Sequence, residues 1–243
     1  MNDPCICWFR KDLRLDDNPA LLEASKHKKI IPLFIFDKSI EEYKDIGEAS
    51  HWWLENSLLS LNLNLDNKLN ILEGNSLVSI TKIIKEQNIK YLYWNRCYEP
   101  DRIAADTIIK NSMKDLNVIA KSFNSSLLWE PWKIKNKSGN FYKVFTPFYK
   151  KGCLVSDLPR KPIEKPEKLF FLKLDTESQN YHFKFKDRKY EWCEKFEKIW
   201  NTSEASARTN FNNFLNTGAS DYSEGRNFPS KNSVSKISPY LHW

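Results

Sequence analysis

The run Cys5-Ile6-Cys7-Trp8-Phe9 leads without a break into Arg10-Lys11-Asp12-Leu13-Arg14-Leu15-Asp16-Asp17-Asn18-Pro19-Ala20-Leu21. An uninterrupted apolar run reads as a strand covered on both faces, as parallel sheets require. Asn18 followed by Pro19 reads as an N-cap and a first helical position. Strand, loop and helix in that order open an α/β unit. The loop carries Arg10, Asp12, Arg14 and Asp17, which are expected to brace it through ion pairs and caps and not to act in catalysis. It contains no glycine, whereas a dinucleotide-binding turn needs glycines so that the backbone can approach a pyrophosphate. Neither GxGxxG nor a P-loop occurs in a chain with only six glycines. Nicotinamide dehydrogenases and P-loop enzymes are therefore excluded.

Working outward, Ile30–Phe36, Leu69–Leu72, Tyr91–Trp94 and Val118–Phe123 repeat the strand pattern. Between them Leu54, Leu58, Leu61 and Leu65 share one helical face, as do Leu77, Ile80 and Ile84, and later Ile109, Met113 and Leu116. Glu99-Pro100-Asp101 repeats the capping logic of Asn18-Pro19. Strands alternating with helices predict a doubly wound, Rossmann-like α/β domain with a parallel sheet over residues 2–132. Asp37, at the end of the second strand, reads as a helix cap. Trp52, Trp53, Trp94, Trp129 and Trp132 read as core and interface aromatics. From 133 to 190 the texture changes. Pro147, Pro159, Pro162 and Pro166 and fifteen basic residues between 133 and 189 predict an interdomain connection, with one short helix around Pro147–Cys153. Helical spacing returns over 191–243 at Trp192, Phe196, Ile199 and Trp200, then at Ala207, Phe211, Phe214 and Leu215, with Gly218 as a stop. So short a helical segment buries its own aromatics poorly. Its apolar faces are expected to be exposed, as in the truncated start of an all-α domain.

The chain has 243 residues, 41% apolar and 28% charged, with a mean hydropathy of −0.61, values of a soluble globular protein. No stretch approaches the ~20 apolar residues of a spanning helix, and no charged-then-apolar leader opens it. A cytoplasmic location without membrane contact is the expectation. Cys5, Cys7, Cys97, Cys153 and Cys193 form no CxxC pair and the four histidines are scattered, which speaks against a disulfide framework or a metal site. Residues 1–129 carry 17 basic and 18 acidic side chains, net −1, whereas 130–243 carry 21 and 13, net +8. A basic half beside a neutral one points to an anionic partner, nucleic acid first, or to a Lys-rich solvated linker.

The stretch Trp8 to Leu21 closely resembles the N-terminal signature of the DNA photolyase/cryptochrome family. Asn95-Arg96-Cys97-Tyr98-Glu99-Pro100, Tyr142-Lys143-Val144-Phe145-Thr146-Pro147-Phe148 and Ser235-Lys236-Ile237-Ser238-Pro239-Tyr240-Leu241-His242 agree with it in order and spacing. The resemblance spans the chain and covers the first half of a family member. It implies a monomeric, light-driven DNA-repair flavoprotein that splits ultraviolet-induced cyclobutane pyrimidine dimers by electron transfer from reduced FAD. It places the flavin-phosphate site on Tyr222, Val234, Ser235, Lys236, Ile237 and Ser238, with Val234 departing from the usual threonine. Without that register, the two serines beside Pro239 would read as helix caps. It assigns Arg226 to the backbone of ultraviolet-damaged DNA and puts the catalytic and electron-relay residues beyond Trp243. Family members often hold a second, antenna chromophore, a folate or a deazaflavin. Asp101-Arg102 stands where the folate pattern has Asn-Glu, so folate is not expected in that mode and the antenna stays unassigned. The alternatives are a cryptochrome-type blue-light receptor and a stand-alone α/β module binding a chromophore or a partner protein.

Overall fold

Two interior strands, β1 (Cys5–Trp8) and β2 (Ile30–Phe36), are buried along their whole length. β3 (Asn70–Glu73), β4 (Tyr91–Asn95) and β5 (Ile119–Phe123) complete a sheet of order β3-β2-β1-β4-β5, with every pairing parallel. The computed structural model describes residues 1–175, 181–187 and 190–243, without the side chains of 186 and 187. Alternate side chains of the strands enter two separate cores. Cys5, Cys7, Phe34 and Phe36 pack with α1 (Pro19–Ala24), α2 (Glu41–Lys44) and α3 (Glu48–Asn64). Ile6, Trp8, Leu33, Ile35, Leu92 and Trp94 pack with α4 (Ser76–Glu86) and α5 (Pro100–Asp115) on the other face. Burial on both faces is why these strands read as continuous apolar runs.

Local signals set the helix starts. Asn18 accepts from the Leu21 amide at 3.0 Å, and Asn75 caps α4 by accepting from Val78 at 3.1 Å. Glu99, expected to cap α5, does not: its carboxylate reaches Lys11 at 2.9 Å. Asp37 behaves as a cap, accepting from the Ser76 amide at 2.7 Å and from the amide and hydroxyl of Ser39. Burial opposes its ionisation, and these hydrogen bonds overcome that and hold the carboxyl below its ordinary range.

The connecting segment is not a free tether. β3 pairs with β2 only from Leu33 onward, which leaves the Ile30 end of β2 without a neighbour on that side. Phe170 and Leu172 fill the gap: the Ile30 amide donates to the Phe170 carbonyl at 2.8 Å, and the Leu172 amide donates to the Ile30 carbonyl at 2.7 Å. Further along, Glu55 accepts from the Tyr181 hydroxyl at 2.7 Å and from the amides of Lys184 (2.7 Å) and Phe185 (2.9 Å), the latter two in α7 (Lys184–Asp187). The short helix expected at Pro147–Cys153 forms as a series of turns from α6 (Phe145–Pro147) through Val155.

Four helices follow: α8 (Glu191–Ile199), α9 (Glu204–Thr217), α10 (Tyr222–Gly225) and α11 (Ser238–His242). Their aromatics are better covered than expected. Phe196 meets Trp52 edge-on at 5.4 Å, and Trp53 takes Trp200 at 5.3 Å and Tyr240 at 4.9 Å. Trp192 packs on Phe185 at 5.5 Å. The reason is that α3 presents two adjacent tryptophans to this segment, each worth about 0.5–1.5 kcal/mol per aromatic pair beyond area burial. Ile199 at 70% on α8, Phe211 at 44% and Leu215 at 52% on α9, and Leu241 at 78% on α11 keep the expected exposure. Trp132 is not a core residue: it is exposed, with its ring 6.0 Å from Tyr98 and 5.9 Å from the Arg96 guanidinium. Among the described residues no helix is long and apolar enough to cross a membrane.

Candidate functional site

Strand order reverses between β1 and β4, and sheets of this type hold ligands outside the carboxyl ends of the strands at that point. Here the chain's own side chains fill the place. The Arg10 guanidinium, 2% exposed, pairs with both Asp106 oxygens at 2.7 and 3.2 Å and also donates to the Asn95 carbonyl. Asp106 accepts in addition from Trp94 Nε1 at 2.8 Å. Asp12 accepts from the Arg10 amide at 2.8 Å and from the side-chain amides of Asn95 and Asn18. Arg14 donates to the carbonyls of Asp16, Asp17 and Ser125, while Asp17 takes Arg160 and the Ile163 amide. The bracing role expected for Arg10, Asp12, Arg14 and Asp17 is therefore what the geometry shows. The partner Asp106 was not foreseen, although Arg102 and Asp106 fall on the same α5 face as Ile109 and Met113. Two ionisable residues on an apolar stripe are the signal that points to it.

Next to this plug, Glu42 gathers Lys11 (3.2 Å), Arg102 (2.9 Å) and His242 (3.0 Å). Burial pushes its carboxyl up, but these three partners prevail and bring it down to about 2. Arg102 lies 4.7 Å from the Tyr43 ring centroid, and Tyr43 stacks on Trp243 at 6.2 Å and 6°. Asp101 accepts from the Glu41 amide at 3.1 Å. Asp101 and Arg102 thus hold α2 and are committed to internal contacts. All five cysteines are buried, and burial pushes the Cys5 thiol up to about 12, which favours the neutral thiol there.

The C-terminal segment is built differently. Gly225 and Gly218 let residues 231–235 cross α10 closely: a Cβ on Gly225 would sit 2.2 Å from Ser233 Oγ, and one on Gly218 would sit 2.9 Å from the Asn232 carbonyl. Ser233 donates to Asp221 at 2.9 Å and pins the crossing. Beyond it, Lys236 adopts φ 52°, left-handed, and Ile237 follows at φ −85°, ψ −14°. A left-handed residue next to a right-handed one is a backbone succession of the kind found in anion-binding nests. Among the described residues, the amides of Val234, Ser235, Lys236 and Ser238 have no acceptor, whereas the Ile237 amide donates to Ser235 Oγ at 3.4 Å. Ser238 is the first residue of α11 but does not cap it. Residues 234–238 carry two hydroxyls, one lysine and no carboxylate. Tyr222 stands 41% exposed, edge-on to Phe214, with Arg226 5.3 Å from its ring centroid and 3.4 Å from its hydroxyl. The face is open and suits phosphates.

Two clamps missed by sequence reasoning fix this segment to the α/β layer. One is the Glu42–His242 pair with the Tyr43–Trp243 stack. The other is Glu204, whose carboxylate accepts from the amides of Leu15 (3.0 Å) and Asp16 (3.3 Å), reinforced by Arg208 on Asp16 at 2.6 Å. Between the clamps lies a cavity of about 600 Å³ bounded by Arg14, Trp53, Ser125, Phe211 and Tyr240.

Fold and site together define a Rossmann-like α/β layer followed by a helical region with an open, phosphate-suited loop. The DNA photolyase family model matches residues 5–167. Deoxyribodipyrimidine photo-lyase of Agrobacterium fabrum is 35% identical over 98% of this chain and 50% of its own length. Cryptochrome-1 of Arabidopsis thaliana is 26% identical over 98% of this chain and 36% of its own length. The crystal structure of a bacterial class III photolyase from Agrobacterium tumefaciens superposes with a TM-score of 0.88 at 33% identity, covering 99% of this chain and 50% of that one. The chain belongs to the DNA photolyase family. It spans half the length, or less, of these relatives.

Proposed function

We propose that this chain is the α/β layer and the beginning of the flavin-binding unit of a DNA photolyase. In this reading Ser235 and Ser238, with the free amides of Val234, Ser235, Lys236 and Ser238, hold the pyrophosphate of FAD, and Tyr222 and Lys236 flank it. The observation that carries the reading is the left-handed turn at Lys236, in register with the family's flavin-phosphate run. Val234 contributes its amide where the family has a threonine hydroxyl, so one donor is lost and the backbone set remains. Bound FAD, reduced and excited by blue light, supplies the electron that splits a pyrimidine dimer. This chain's residues bind and orient: Arg226 is held over Tyr222 with donors left for a phosphate of the damaged strand. Asp101 and Arg102 are occupied in bracing α2, which supports the expectation that folate is not held there as in other family members.

The test is light-dependent repair of an irradiated oligothymidylate by the protein that joins this chain to a helical second half. Loss of dimers under blue light, and reduced flavin retention in Ser235→Ala/Ser238→Ala, are expected. Flavin photochemistry without dimer loss would instead establish a cryptochrome-type receptor. For residues 1–243 alone, phosphate contacts leave the flavin ring in water, and purification without flavin colour is expected.

A further inference from the structure

The connecting segment has a face that neither the sheet nor the phosphate loop uses. Between Pro131 and Ser156 the sequence holds Lys133, Lys135, Lys137, Lys143, Lys150 and Lys151 and not one carboxylate. All six lysines are exposed. Among the described residues, the lysines that ion-pair are Lys11, Lys26, Lys38, Lys121, Lys184 and Lys231, none of them in this set. Interleaved with these cations are exposed rings: Trp132 at 50%, Phe141 at 60%, Phe145 at 72% and Tyr149 at 42%. Phe145 and Tyr149 lie parallel, 5.8 Å apart at 4°, and Lys135 Nζ sits 5.9 Å from the Phe141 centroid.

A solvated lysine run has no use for exposed rings, and a protein–protein contact is depleted in lysine. Unpaired cations alternating with flat rings match a nucleic-acid strand whose bases are free to stack, with phosphates on the ammonium groups and bases on the aromatics. Val155 and Leu158, also exposed, lie past Lys151 and line a cleft beside Trp129 and Arg160 that takes in Lys133 at the edge of this segment. We propose that Trp132–Lys151 is a docking surface for an unpaired DNA strand, distinct from Arg226. The choice of DNA rests on the photolyase reading; the surface itself rests on its own charge and rings.

The experiment is a fluorescence-anisotropy titration of residues 1–243 against a labelled, undamaged dT20 over a range of salt. Lys143→Gln/Lys150→Gln/Lys151→Gln is expected to weaken binding at least tenfold and to lower the salt slope by about 2, three phosphates at roughly 0.7 each. Phe145→Ala/Tyr149→Ala is expected to weaken binding by roughly tenfold or more with the slope unchanged. Both sets are exposed, and unchanged circular dichroism and urea midpoints show that folding is intact. No binding of dT20, or wild-type affinity in both variants, overturns the proposal. So does a ring variant that abolishes self-association in sedimentation while dT20 binding stays the same, because the face then serves a protein contact. Light-driven dimer repair that persists in the variants, with undamaged dT20 unbound, removes this surface and leaves the photolyase reading standing.

Discussion

Replacing Asp106 with alanine strands the Arg10 charge. The guanidinium is 2% exposed, and two of its hydrogen bonds, at 2.7 and 3.2 Å, end on Asp106. Breaking a buried pair from one side typically costs about 3–5 kcal/mol, because the remaining ion has neither water nor a counter-charge. The Trp94 N–H loses its acceptor as well. Against a total stability of about 5–15 kcal/mol this is a large fraction. With a urea slope near 2 kcal/mol per molar, it lowers the midpoint by roughly 2 M. The assay is urea unfolding followed by tryptophan fluorescence. Arg10→Met/Asp106→Leu removes both charges and leaves the Trp94 donor and Asn95 carbonyl unpaired, so it is expected to lose only about 1–3 kcal/mol. A single variant costing under about 1 kcal/mol, or a double variant as damaged as the single, would falsify the view that the crevice is closed by a buried ion pair.

Glu42 ionises near pH 2, below the ordinary 4.5, so its contribution is fully present above pH 4.5 and disappears as pH falls toward 2. Glu42→Gln should therefore be about 2–3 kcal/mol less stable at pH 6 and indistinguishable from the parent near pH 2; parallel urea curves across that window check it. Glu55 is held below its ordinary range, against the push of burial, by His51, the amides of Phe185 and Lys184, and Tyr181. Glu55→Ala should cost about 2–4 kcal/mol and speed hydrogen exchange at the Lys184 and Phe185 amides; unchanged protection there would disprove the anchoring role. Gly225→Ala places a methyl 2.2 Å from Ser233 Oγ and 2.5 Å from Asp221 Oδ2, which forces residues 231–235 off α10. A loss of about 1–3 kcal/mol is expected, with weaker retention of flavin by the joined protein. Wild-type values for both would mean the crossing is loose.

The layer architecture was legible in the chain because continuous apolar runs and 3.6-residue faces report burial locally. β2 appears as expected, β3 starts one residue later, and β4 runs on to Asn95. The cap at Asn18 was legible for the same reason, since it acts on the helix that follows it; for Asp37, Arg10, Asp12, Arg14 and Asp17 the residue types announced capping and bracing, while most of their partners lie far along the chain. The proposal that residues 234–238 hold phosphates rests in the sequence on register with the family alone, because two serines near a proline would otherwise read as helix caps. The strand order β3-β2-β1-β4-β5 was decided in three dimensions, by which faces the crossover helices cover. So were the contacts that join distant segments: Asp106 beneath Arg10, 96 residues away, Glu204 on the amides of Leu15 and Asp16, and Phe170 and Leu172 closing the bare end of β2. Burial of Phe196 and Trp200 was likewise invisible locally, because their partners Trp52 and Trp53 lie on α3 across the layer. Side-chain periodicity tells a segment which face to bury; the partner for that face is chosen only when the whole chain has closed around it.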